Sequence, residues 1–135
     1  ALMVWATTAS INNRTVLAAP ALTAVSAAAV ARGDAAVTTY ADFITDAHAQ
    51  VVELLLQRDI TEEMVTSTAG VTRAETDLVL ALLFESVQEI DRAGTGDQYA
   101  QQAKVFRDSF ETEMARVQPV SNVKGDGRGF RWSRG

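Results

Sequence analysis

The sequence predicts an all-α fold: a small bundle of about four helices with an extended segment at each end. Three observations lead there. Apolar residues recur at steps of three and four through the middle of the chain. Alanine, the strongest helix former, dominates residues 16–31. After Val120 the periodicity stops, and glycine and arginine take over. With 135 residues, 47% of them hydrophobic and 21% charged, the chain is the size of a single domain with a core of its own. We divide it into an acidic helical body with an N-terminal extension, residues 1–120, and a basic Gly/Arg/aromatic arm, residues 121–135.

The first dozen residues are ambiguous: Leu2–Thr8 reads either as a short strand or as an arm packed on a neighbour. The first helix covers Ala21–Arg32, with Pro20 in its first turn and Gly33 as a left-handed stop. A second spans about Val37–Arg58, where Tyr40, Phe43, Ile44, Ala47, Val51, Leu54 and Leu55 form one stripe. Thr61–Met64 reads as a single helical turn, and Gly70 as a break. Thr72 and Glu75 have the spacing of a capping box, which starts the third helix near Arg73 and runs it to Arg92, with Gly94 as the stop. Its apolar residues cover more than one face, so it is either central to the bundle or buried twice, once against a neighbouring subunit. Thr95 or Asp97 caps the fourth helix, about Gln98–Val117, whose stripe is Tyr99, Ala103, Phe106, Phe110, Met114 and Val117. Pro119 ends it.

Composition removes several chemistries. Without cysteine there are no disulfides, thiol nucleophiles or thiolate metal sites. His48 is the one imidazole. A general base there needs an orienting carboxylate and a nucleophile, and Asp42, Asp46 and Glu53 complete no recognised arrangement. His48 therefore reads as a half-buried helix residue. Glu85 and Glu89, four apart, share a helix face as ligands of a divalent ion do. The Glu-x-x-His pattern of di-iron bundles is absent, since Thr45 stands three residues before His48. Together with Glu62–Glu63 and Glu111/Glu113 they read as a solvated acidic face. Gly125–Gly129 lacks the strand and helix that flank a phosphate loop. The expectation is a non-enzyme without cofactor or metal. Val16–Ala31 is too short and too weakly apolar for a bilayer span, and Arg14 stands on the wrong side of the first apolar run for a secretory signal. No membrane partner is expected.

Charge is unevenly placed. Of the net −5, residues 1–120 hold 8 basic and 16 acidic residues, a net −8. Residues 121–135 hold Lys124, Arg128, Arg131 and Arg134 against Asp126 alone, a net +3. Arginine forks suit carboxylates and phosphates. Phe130 and Trp132, two apart, share one face of an extended strand, and such residue types dominate interface hot spots. Lys124, Arg128, Phe130, Arg131, Trp132 and Arg134 are the candidate partner-binding residues. A frayed terminus and a nucleic-acid-stacking segment are the competing readings of the same arm.

The aromatic helix QYAQQAKVFRDSFETEMARVQPV running into SNVKGDGRGFRWSRG resembles the head-to-tail adaptor (connector, neck) proteins of tailed bacteriophages, over roughly Val37–Gly135. The resemblance implies a homo-oligomeric ring, commonly a dodecamer, in the virion neck. Its subunits are made in the host cytoplasm and dock onto the portal protein through residues 121–135. The ring contacts neighbouring neck and tail proteins and extends a channel through which DNA passes without sequence-specific binding. Acidic walls that repel phosphate suit such a channel. Residues 1–19 match nothing in that pattern. The alternative is a cellular helical-bundle adaptor or regulator that binds an acidic partner through the same arm.

Overall fold

The computed structural model describes residues 4–65, 69–90 and 96–117, which form five α-helices and no strand among the described residues. These are α1 (Thr8–Arg14), α2 (Ala18–Ala31), α3 (Ala41–Leu56), α4 (Ala69–Ile90) and α5 (Gly96–Arg116), with a 3-10 turn at Glu62–Met64. The all-α expectation holds.

α4 is the central element, touching α1, α2, α3 and α5. That accounts for its apolar excess: Leu78, Val79, Leu80, Leu83, Phe84 and Val87 are all buried in a helix that has four others packed against it. α5 lies along it. Ala103, Phe106, Phe110, Met114 and Val117 are buried as the period requires, while Lys104, Asp108, Glu111 and Arg116 stay in solvent. Phe84 anchors this seam, its ring centroid 5.7 Å from those of Tyr99 and Phe106. In α2 the buried residues are Ala18, Ala21 and Ala29, small enough to let the helix lie close against α4.

The helix stops follow local backbone chemistry. Gly33 adopts φ +90°, and Asp34 N–H bonds the Ala29 carbonyl at 2.9 Å, closing α2 in a left-handed cap. α3 closes in the same way with a non-glycine residue: Asp59 sits at φ 59°, and Ile60 N–H bonds the Leu55 carbonyl at 2.9 Å. α3 starts at Ala41 rather than Val37, because Val37 N–H is taken by Ser26 Oγ at 3.0 Å and holds the connection against α2.

Four expectations need correction. Neither a strand nor an arm on a neighbour describes the first residues: Val4–Thr7 is an extended strap with Trp5 and Ala6 buried in this chain's own core, and Thr7 starts α1. Thr7 Oγ1 accepts from Ser10 N–H at 3.0 Å, and Ser10 Oγ accepts from Thr7 N–H at 2.9 Å, a reciprocal cap. The Thr72–Glu75 capping box does not form. α4 begins at Ala69, so Thr72 lies inside it and Gly70 belongs to its first turn rather than breaking it. Glu75 is drawn inward instead, by donors far away in sequence. Asp97 likewise lies within α5 rather than capping it, whereas Thr95, Gly94 and Pro119 fall outside the described residues.

Candidate functional site

Three consecutive polar residues, Glu75, Thr76 and Asp77, are buried in the middle of the bundle, at 0%, 2% and 0% exposure. Burying carboxylates is costly unless each oxygen finds donors. Here they do. Glu75 Oε2 accepts from the backbone N–H groups of Trp5 and Ala6 at 2.8 and 2.7 Å. His48 Nδ1, on α3, meets Glu75 Oε1 at 2.8 Å. Thr76 Oγ1 lies 2.9 Å from Ser10 Oγ on α1. Asp77 accepts from Arg14 Nε at 2.8 Å and from Ser109 Oγ at 2.6 Å, joining α1 and α5 to α4. The hydrogen bond from Arg14 to Asp77, aided by the charges of Asp77 and Glu113, raises the guanidinium pKa above its ordinary value against the opposing cost of burial.

His48 is fully inside rather than half-buried, at 5% exposure, with its ring centroid 5.0 Å from that of Trp5. With Nδ1–H given to Glu75, its Nε2 is buried and has no hydrogen-bond partner, and Glu62 Oε2 stands 3.6 Å away. The orienting carboxylate sought near His48 in sequence thus exists, 27 positions further on. Neither of the two surface grooves described below includes the imidazole.

The carboxylates weighed as metal ligands disperse. Glu85 takes a bidentate fork from Arg107, at 2.8 and 2.9 Å to Nη2 and 3.2 Å to Nε, while Glu89 is exposed. Glu113 lies 3.8–3.9 Å from Arg116 and Arg73, and Glu63 and Glu111 are in solvent. No three potential ligands converge among the described residues. No single described helix is long and apolar enough to cross a membrane; α1 and α2 reach the composition only together and are bent by 114°.

At the other end of the bundle Arg58, in the turn after α3, donates to the carbonyls of Met114 and Val117 at 2.8 and 2.7 Å. Those carbonyls belong to the last turn of α5, where helices leave acceptors unpaired and carry partial negative charge. Beside this clamp lies an open groove of about 580 Å³ lined by Leu54, Gln57, Phe110, Glu111, Met114 and Ala115. Leu54, assigned to the apolar stripe of α3, is 36% exposed there. A second groove of about 460 Å³ runs between α3 and α4, with Phe43 and Leu82 beneath Asp46, Glu85 and Glu89.

The candidate partner-binding residues Lys124, Arg128, Phe130, Arg131, Trp132 and Arg134 lie outside the described residues. Sequence reasoning missed Trp5, Arg14, Arg58, Glu75 as a buried group, and Asp77. One signal was available for the central set: Glu75-Thr76-Asp77 is a polar triplet set directly before the chain's greasiest run. No family model, curated protein or solved structure matches this chain significantly.

Proposed function

We propose that this chain is a structural subunit of the head-to-tail connector of a tailed bacteriophage. In this reading it forms a homo-oligomeric ring beneath the portal, docks onto the portal through residues 121–135, and lines part of the DNA channel with its acidic body. The observation that supports the reading is a clamped helix end on an acidic body whose sequence continues into a basic segment. Arg58 fixes the last turn of α5 to the turn after α3, and the net +3 segment begins four residues beyond Val117 on a body of net −8. A docking arm needs such a fixed base, since geometry lost at the root is multiplied along an extended chain. Exposed Asp42, Asp46, Glu53, Glu63, Glu89, Asp108 and Glu111 keep the body's field negative, which lets phosphate pass without sticking.

The test is sedimentation of a native-source lysate, with mass spectrometry locating the chain across the gradient. The reading expects it in megadalton particles, and a chain lacking residues 121–135 to fold but fail to join them. Recovery only near monomer or dimer mass overturns the neck assignment in favour of a cellular adaptor. A truncated chain that assembles normally overturns the role of the arm.

A further inference from the structure

The groove between α3 and α4 has an apolar floor and an acidic rim. Phe43 and Leu82 are half-buried at its base, with Asp46, Glu85 and Glu89 around them. Arg107 forks Glu85, so three carboxylates less one guanidinium leave the rim a net −2, carried by Asp46 and Glu89. Both are exposed, and neither has a lysine or arginine within ion-pair distance among the described residues. At about 460 Å³ the groove has the volume of a ligand site. Its chemistry asks for a ligand that combines apolar groups with cations.

The chain itself carries such a segment. Residues 127–135 read GRGFRWSRG, with three arginines, two aromatic rings and no acid. In an extended strand Phe130 and Trp132 share one face, with Arg128 and Arg134 on either side of them. Rings for the floor and guanidinium groups for the rim arrive together, and arginine is the cation whose fork matches a carboxylate. The groove beside the Arg58 clamp suits this segment less. Its charges are the Glu111 carboxylate and the Arg58 guanidinium, which repels the arginines.

Chain length agrees. Phe84, next to Glu85, packs against Tyr99 and Phe106, which sets the groove level with Ala103 midway between them on α5. Fourteen residues of helix lead from there to Val117, about 21 Å. One interhelical spacing of about 10 Å lies sideways, which makes a span of roughly 23 Å. Phe130 and Trp132 stand thirteen and fifteen residues beyond Val117. A coil of that length averages about 20 Å end to end. Span and length match, the condition under which a tethered ligand reaches its highest effective concentration, of millimolar order.

We propose that residues 128–134 seat in the α3–α4 groove of their own chain, with Phe130 and Trp132 on Phe43 and Leu82 and the arginines on Asp46 and Glu89. The consequence for assembly rests on the connector reading: the subunit holds its docking arm against its own body, and the portal has to displace it.

The chain has no cysteine, so Ser133→Cys takes a single nitroxide, whose broadening of amide NMR signals maps where the arm lies. The proposal expects Ala49, Gln50 and Ser86 to be broadened, and Gln57 and Ala115 in the other groove to be spared. Added salt weakens the pattern. In Asp46→Lys/Glu89→Lys two attractions become repulsions, and the ratio of seated to unseated arm falls roughly tenfold. Both positions are exposed on helices, so the fold persists. Broadening spread evenly, or centred on Gln57 and Ala115, overturns the proposal. So does an unchanged pattern in the double variant. Isotope-labelled parent chain mixed with nitroxide chain lacking the isotope reports contacts between copies; the same broadening there puts the arm on a second copy and overturns the proposal too. Sedimentation judges the connector reading separately. A chain that joins megadalton particles without this broadening refutes the seat alone, and a chain that shows it without joining refutes the connector alone.

Discussion

Glu75 is the residue whose loss the structure makes most costly. Replacing it with alanine strands three buried donors at once: Trp5 N–H, Ala6 N–H and His48 Nδ1–H, all within 2.7–2.8 Å of its oxygens. An unsatisfied buried donor costs about 1–3 kcal/mol. Some of that is recovered if the strap lifts and its amides find water, but lifting exposes Trp5 and Ala6, now at 6% and 3%. Removing one partner of a buried charged pair typically costs about 3–5 kcal/mol, and Glu75→Ala belongs in that range. With a urea m-value of about 1–3 kcal/mol/M, the midpoint falls by roughly 2 M. Glu75→Gln separates hydrogen bonding from charge. Its oxygen accepts both strap amides, its NH₂ donates to His48 Nδ1, and the ring proton moves to Nε2 and toward Glu62. The strap amides and His48 Nδ1 then keep their partner, and the loss is about 1 kcal/mol, the difference between a charged and a neutral acceptor. Urea unfolding followed by far-UV circular dichroism gives the energies. In a Trp132→Phe background Trp5 is the remaining tryptophan, and its emission shows whether the strap leaves before the bundle melts. A glutamine variant as damaged as the alanine one, or an alanine variant within about 1 kcal/mol of the parent, refutes this account of the core.

Asp77→Asn weakens the second buried junction, because the Arg14 fork then faces an amide, and the Ser109 contact loses its charged acceptor. Arg14 is 31% exposed and partly rescued by water, so the expected loss is about 2 kcal/mol, read as a drop of several degrees in Tm. Tyr40 predicts an alkaline limb. Burial raises its phenol pKa above the ordinary value, so at high pH the unfolded chain has lost a proton that the folded chain retains, and stability falls as pH rises. Tyr40→Phe forfeits the bond to Asn12 Oδ1 at 2.8 Å, about 1 kcal/mol, but flattens that limb. Urea midpoints measured between about pH 9 and 11 check the difference in slope.

What the sequence disclosed was whatever depends on neighbours three or four positions away. The stripe of α5 is buried as its spacing requires, Gly33 closes α2 in the left-handed region, and Pro20 sits in the first turn of α2. The excess apolarity of α4 reported its central place. The polar core was hidden because its partners are remote: Trp5 lies 70 positions from Glu75 and Arg14 lies 63 from Asp77. The Thr72–Glu75 pair had the local pattern of a cap, and a cap is worth about 1 kcal/mol. Three buried donors outbid it. Leu54 kept its place in the period and still stands half-exposed, because the facing surface of α5 recedes there into a groove.

The triplet Glu75-Thr76-Asp77 explains why so greasy a helix settles in one orientation. A helix apolar on every side buries nearly the same area at any rotation about its axis, so hydrophobic burial alone leaves its register weakly set. At 3.6 residues per turn, three consecutive side chains sweep about 200° of the helix surface. Each therefore meets different neighbours: Glu75 takes the strap and α3, Thr76 takes α1, and Asp77 takes α1 and α5. Rotating α4 by one position would bury both carboxylates against apolar surface and leave the strap amides, Arg14 and His48 without acceptors, a penalty of several kcal/mol. Slippage is thus opposed by polar groups while cohesion is supplied by apolar ones. The price is a core less tolerant of substitution at these three positions than at Leu80 or Leu83. The return is a body in which the last turn of α5, clamped by Arg58, keeps a fixed place relative to the other helices.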